Sequence, residues 1–575
     1  MIQVYEILLR ALVYLEHVLV VLDLEIVVRL ALADANLAEE AVTFVTEEYR
    51  KAQPKLESQI YSEKVAWIRE AGDCVNYTIV KVVQQPHQQN GSCVEAKILC
   101  HTLEISKPRT AGSVTPASLD VFFTSVSSAT VSSMSTVEME VFSNTQLIIM
   151  TIVMLLGGEV FTSVLGLYLS RSYFSEQQTK ESRVTSNYHS PPKPTTFSGL
   201  EIDQKPPNVD LECNINSSDN DHCLKLNSIK CLATVVFGYS LVVHITGSSL
   251  VAMYTSLVPS AREVLSSKGL KIQTFSLFTT ASTFSNCGFV PTNENMIAFK
   301  KNSGLLLILI PQTLLGNTLF PSCLRLSIWV LEKITRKVEF RYILMNTREM
   351  GYGHLHSFAQ SCLVAITVLG FIMVQFILFC SMEWNSGAMD DMNSYQKVMG
   401  ALFQVVNSRH SGESVVDISI ISPATLVLFA VMMYLPPHTS FLPIKQQEEV
   451  VSGTDQKCKK QRKSLVQCLL LSPLSSLVIF VILICITERE KLKKDPLNFN
   501  VLSITIEVVS AYGNVGFSTG YSCKRQLEQD NLCKDAWTGF VGRWSNKGKF
   551  ILILVMFYGR LKKFSIDGGK AWKLS

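Results

Sequence analysis

The sequence predicts an all-α membrane protein made of four pseudo-repeated units, each a helix, a short pore segment and a second helix, gathered around one central pore. Three observations predict it. Apolar side chains make up 47% of the 575 residues and charged ones only 17%, with a mean hydropathy of +0.24, a balance rarely found in a soluble domain of this length. Seven stretches have the length and apolar character needed to cross a bilayer, which takes about 20 helical residues. Between them lie four shorter half-apolar stretches, each followed by a turn containing Gly or Ser, and backbone of that kind is tolerated at membrane depth only where protein surrounds it or it lines a watery path.

The elements follow in order. Residues 1–102 form a divergent N-terminal extension. Its apolar part, 5–32, is interrupted by Glu6, Arg10, Glu16, Asp23, Glu25 and Arg29. Each such charge costs about 2.5–3.5 kcal/mol at a helix centre on insertion scales, so an amphipathic or interfacial helix fits better than a span. The first helix of the first unit is therefore missing or divergent, and no signal peptide is evident. The first unit covers 103–170, with a pore segment near 120–134 and a span at 145–169. A Ser-, Pro-, Asn- and Asp-rich stretch, 171–226, reads as a disordered cytoplasmic loop. The second unit, 227–332, has spans at 228–256 and 304–331 around a pore segment near 274–288. Loop 333–354 carries Lys333, Arg336, Lys337, Arg341 and Arg348. The third unit, 355–444, has spans at 357–382 and 420–442 and a pore segment near 397–412. A basic loop, 445–463, precedes the fourth unit and tail, 464–575, with spans at 464–486 and 547–562 and a pore segment near 500–516. The Lys and Arg excess puts both basic loops and the tail on the cytoplasmic side.

The pore segments repeat one another. Ser282, Phe284, Asn286, Gly288 and Phe289 align with Ser510, Tyr512, Asn514, Gly516 and Phe517 without a gap. The first segment has Ser127 six residues before Ser133, the offset of Ser282 to Gly288, and the third, 403–412, fits more loosely and ends at Gly412. The special positions are thus Ser133, Gly288, Gly412 and Gly516. A short helix entering from outside points its carboxyl end, with its partial negative charge, at the membrane centre, where it favours a cation. Carbonyl oxygens beyond it can replace the hydration shell of an alkali ion, and glycine permits positive φ and leaves no side chain in the path. A serine at one position narrows the ring, which disfavours the larger potassium ion relative to sodium.

The strings SVSSATVSSMSTVEMEVFSN (125–144), STFSNCGFVPTNENM (282–296), QVVNSRHSGE (404–413), MMYLPPHTSFLP (432–443) and AYGNVGFSTGYSC (511–523) resemble the plant high-affinity potassium transporter (HKT) family, within the Trk/Ktr/HKT cation transporters, over roughly 103–575. The resemblance implies a multi-pass plasma-membrane transporter of Na⁺, or of both Na⁺ and K⁺, whose filter positions match Ser133, Gly288, Gly412 and Gly516. A serine in the first repeat resembles the Na⁺-selective subfamily, and a role in retrieving sodium from xylem and in salt tolerance is implied. A cation that narrows the path below the filter matches Arg560. A K⁺ or mixed carrier of the same superfamily is the alternative, and whether two chains pair as a homodimer stays open.

Other residues have two readings each. Arg560 either constricts the path or snorkels to headgroups. Glu159 is either functional or a paired structural carboxyl, and Arg325 is read as an anchor. Arg409 and His410 either tune the outer mouth or bond neighbouring loop carbonyls. Cys523 and Cys533 share one predicted extracellular loop, either as a disulfide or as free thiols. The net charge of +4 is scattered, which excludes a nucleic-acid partner, and the fifteen cysteines lack C-x-x-C pairs, which argues against a bound metal. No nucleophile–base pair or phosphate-binding glycine loop supports an enzyme or a cofactor.

Overall fold

The computed structural model describes residues 116–167, 217–347, 349–436, 473–527, 533–536 and 539–565, all within one compact unit, Asn90–Ser575. The N-terminal extension, the first helix of the first unit and the basic loop 445–463 lie outside the described residues. Among the described residues the chain is helical, with one isolated bridge between Tyr521 and Ala536.

In the first unit a short helix, α1 (Ser118–Ala129), is followed by α2 (Asn144–Gly157) and α3 (Glu159–Leu167). The second unit holds α4 (Ser217–Leu257), α5 (Pro259–Ser267), the short helix α6 (Ile272–Ser285), α7 (Ser303–Leu315) and α8 (Phe320–Thr335), with α9 (Val338–Met345) after it. The third has α10 (Phe358–Glu383), the short helix α11 (Ser394–Asn407) and α12 (Pro423–Tyr434). The fourth has α13 (Pro473–Thr487), α14 (Arg489–Lys494), the short helix α15 (Val501–Gly513) and α16 (Asn546–Ser565). The short helices α1, α6, α11 and α15 fall on the four expected pore segments.

Three expectations need correction. The expected span 145–169 is not one helix: α2 and α3 meet at 55° across Gly158. Nor is 304–331, since α7 and α8 meet at 82°. That break follows Pro311, which removes one backbone donor, and falls at Gly316, where any Cβ would collide with the Phe284 carbonyl oxygen. The loop expected to run to 226 ends earlier, because α4 is already helical at Ser217, and extending an established helix costs little.

By length and composition α4 (over Cys223–Leu257) and α10 can each cross a membrane, and each bent pair qualifies as one broken span. Their outer faces expose Phe237, Leu241, Val242 and Ile245 on α4 and Ile366, Leu369, Met373 and Ile377 on α10, which suits lipid rather than water. The pore helices are the reverse. Thr124, Ser125, Ser128, Thr279, Thr280, Ser282 and Ser510 are fully buried. Several such hydroxyls bond back one turn, as Ser125 Oγ does to the Val121 carbonyl (2.8 Å), Ser128 Oγ to Thr124 (2.9 Å) and Ser276 Oγ to Ile272 (2.7 Å), which lowers the cost of burying polar helices.

The second helix of a unit is held at its start by a partner from the same unit. Ser143 and Gln146 form a capping box on α2. Asn302 Nδ2 donates to Ser260 Oγ (2.8 Å) ahead of α7. Glu383, at the end of α10, accepts from Ser422 N (3.0 Å) and Thr425 Oγ1 (2.8 Å) at the start of α12. Glu488 accepts from Ser545 N (2.9 Å) ahead of α16. The first and last units close on each other through Lys549 of α16, which pairs with Asp120 of α1 at 2.6 Å and is 6% exposed.

Candidate functional site

Each short pore helix ends in a tight turn. Ser132 N bonds the Ser127 carbonyl (2.8 Å), Cys287 N that of Ser282 (2.9 Å), Gly412 N that of Asn407 (3.0 Å) and Val515 N that of Ser510 (3.0 Å). The chain then passes a residue of positive φ in every unit: Ser133 (53°), Gly288 (86°), Gly412 (67°) and Gly516 (101°). These are the four residues singled out in the sequence.

The structure brings the four together in ring order. A Cβ on Gly288 would strike the Ser411 carbonyl oxygen on one side and lie 3.3 Å from Ser133 Oγ on the other. One on Gly412 would strike the Val515 carbonyl oxygen and lie 2.7 Å from the carbonyl carbon of Gly516. One on Gly516 would strike Ser133 Cβ, 2.8 Å from its Oγ and 2.9 Å from the Ser132 carbonyl oxygen. Main-chain oxygens of three units therefore crowd one small space, and Ser133 touches both neighbouring units. All four residues are buried.

Behind the ring, side chains hold the extended strands. Gln404 Oε1 accepts from Val415 N (3.0 Å), and Glu507 Oε1 accepts from Ser518 Oγ (2.7 Å) and Thr519 N (3.0 Å). Glu413, fully buried, accepts from Thr283 Oγ1 (2.5 Å). The sequence reading passed over these three, and its available signal was a carboxylate or amide inside an otherwise apolar pore segment. Glycines bring three of the four pore helices close to their own units: a Cβ on Gly157 would strike the Ala129 carbonyl, on Gly316 that of Phe284, and on Gly559 that of Tyr512. Ala129, Phe284 and Tyr512 each lie four residues before Ser133, Gly288 and Gly516, so the repeat written in sequence recurs in packing.

On one side of the ring a cavity is lined by Gly412, Ser414, Gly516 and Ser518. The outer loops of the first two units are joined by Lys268 Nζ, which reaches Glu140 Oε1 (2.5 Å) and Glu294 Oε2 (2.6 Å). Burial alone would lower the Lys268 pKa, but hydrogen bonds and charge from Glu140 and Glu294 raise it above its ordinary value. Cys523 and Cys533 are joined as a disulfide with their Cα atoms 5.9 Å apart.

On the other side, a second cavity is lined by Val131, Glu159, Ser285, Asn286, Gly316, Asn317, Asn514 and Arg560. Arg560 is 4% exposed, and its guanidinium donates to the Gly157 carbonyl. Glu159 faces His354 at 3.7 Å. Arg325 is tied to protein, donating to the His356 carbonyl (2.8 Å) and the Leu344 carbonyl (3.4 Å). Arg409 donates to the Pro436 carbonyl (2.6 Å) and stacks 5.0 Å from the Phe371 ring, while His410 bonds the Val406 carbonyl (2.5 Å) and the Thr318 hydroxyl (2.9 Å), so both bond their neighbours.

Comparison with known proteins adds three findings. The family model described as "TrkH: Cation transport protein" matches residues 214–567. The chain is 52% identical to "Sodium transporter HKT1" of Arabidopsis thaliana over 82% of this chain and 91% of that one, and 52% identical to "Cation transporter HKT1;3" of Oryza sativa over 82% and 88%. Against "Cation transporter HKT2;4" of the same plant the identity is 39% over 78% and 86%. A solved structure, the potassium transporter TrkH from Vibrio parahaemolyticus, is 13% identical and superposes with a TM-score of 0.41 over 78% of this chain and 77% of that one.

Proposed function

This chain belongs to the HKT family of cation transporters, and we propose that it carries Na⁺ across the plasma membrane through the ring of Ser133, Gly288, Gly412 and Gly516. The observation that carries the reading is the backbone of Ser133. A non-glycine residue at φ 53° costs about 1–2 kcal/mol, and glycine would sit there freely, as it does in the other three units. The strained side chain has its hydroxyl directed at two neighbouring units, where it subtracts width from a ring of main-chain oxygens. Sodium, the smaller ion, loses less from that narrowing than potassium does. Arg560 places a fixed positive charge on the far side of the ring, where it limits occupancy by a second cation. The name of the Arabidopsis relative supports sodium as the cargo, and the family resemblance supports a role in sodium retrieval and salt tolerance.

The test is Ser133→Gly, recorded in oocytes with external Na⁺ and K⁺ exchanged. The K⁺/Na⁺ permeability ratio should rise roughly tenfold, equivalent to about 1.4 kcal/mol, the scale of one coordination contact. An unchanged ratio would remove Ser133 from the mechanism, and a parent protein already permeable to K⁺ would favour the mixed-cation alternative.

A further inference from the structure

Asn286 and Asn514 occupy the same place in their units, two residues before the ring glycine, and both cap a pore helix in the left-handed conformation at φ 57° and 47°. Capping explains the backbone, since asparagine tolerates that conformation. It does not explain the side chains. The amide nitrogen of Asn286 donates to the Phe284 carbonyl (3.0 Å). That of Asn514 donates to Ser132 Oγ (2.7 Å), the Met556 carbonyl (3.2 Å) and the Ala511 carbonyl (3.3 Å). Carbonyl acceptors fix the orientation of both amides, because a flip would set oxygen against oxygen. Both Oδ1 atoms are then left buried with no donor from the described residues, and Asn317 Oδ1, at the break between α7 and α8, is in the same condition. All three residues line the cavity inside the ring and are at least nine-tenths buried.

We infer that this cavity is a second alkali-cation site, inside the ring, with the side-chain amide oxygens of Asn286, Asn317 and Asn514 as its ligands. A cation supplies what three buried acceptors lack. The carboxyl ends of α1, α6 and α15 converge on it, adding partial negative charge. Glu159 and Arg560 line the same cavity with opposite charges, so the site carries little net charge and holds its ion weakly, as a passing ion requires. The break between α7 and α8 acquires a purpose, because an unbroken helix would not deliver Asn317 at the turn beside Gly316.

The site rests on the transport reading above, and the test separates the two. Full-length parent, the Asn286→Gly/Asn514→Gly double variant, which keeps the left-handed caps and removes both amides, and Asn286→Asp are expressed in oocytes, and current is measured against Na⁺ concentration per surface copy. The double variant should need about tenfold more Na⁺ for half-saturation, the loss expected for contacts to a charged group, while its K⁺/Na⁺ permeability ratio, set at the ring, stays put. Asn286→Asp keeps the shape of the cap and adds charge, so its half-saturating Na⁺ should fall severalfold. If the double variant does not reach the surface, the aspartate variant alone decides. A conducting parent whose surface-expressed variants stay within about twofold of it would overturn the site and leave the transport reading standing. A parent that passes no alkali cation would overturn both.

Discussion

Ser133 and Gly516 are neighbours in the ring, and their contact is close enough that the two positions cannot both carry ordinary side chains. Gly516→Ala would drive a Cβ into Ser133 and also place alanine at φ 101°, so current per surface copy should fall at least tenfold, read by surface labelling alongside recording. A variant that conducts normally would mean that the ring is wider than described. At this scale the sequence was most informative. The internal match of Ser282–Phe289 to Ser510–Phe517 aligned Gly288 with Gly516, and the six-residue offset located Ser133. The role of the aligned Asn286 and Asn514 was not legible, because an asparagine at a helix end reads as a cap until the partners of its amide are known. Nor could the partners of Lys549 and Arg560, two charges inside the apolar stretch 547–562, be read from hydropathy. Both charges turn inward, to Asp120 and to the Gly157 carbonyl.

Pore helices and spans differ in what they must satisfy. The spans meet lipid and need only apolar length, which composition reveals. The pore helices end inside the protein, so their positions depend on neighbours. Their existence was legible from repeated short apolar stretches, whereas the bends at Gly158 and Gly316 were not, since a glycine in an apolar run is compatible with a straight helix. The carboxylates that secure the starts of α12 and α16 were equally hidden, because Glu383 and Glu488 find their partners 39 and 57 residues away. Glu383→Ala and Glu488→Ala should each cost about 1–2 kcal/mol by orphaning the backbone groups at a helix start. In detergent, each should lower the midpoint of thermal unfolding by a few degrees and leave the K⁺/Na⁺ permeability ratio alone. A shifted ratio would mean that these caps help set ring geometry.

Across the whole molecule, the units are joined by charge outside the ring as well as by backbone at it. Lys268 of the second unit holds Glu140 of the first, and Lys268→Met should weaken that junction by about 1 kcal/mol, seen as a lower unfolding midpoint. The Lys268 pKa is raised in the folded state, so its contribution is fully present below its ordinary value of 10.5 and fades only as pH climbs through the higher folded value. The difference between parent and variant should therefore stay constant from about pH 6 to pH 9, and a difference that vanished within that range would assign the junction to another group. The pairing of Asp120 with Lys549 carries a different implication. Its members lie 429 residues apart, and so the ion pair that closes α1 against the fourth unit forms only once the final helix has been made, although α1 already packs on α2. Biogenesis must keep the Asp120 carboxylate without that countercharge through nearly the entire time of synthesis, which makes the last helix the keystone of assembly.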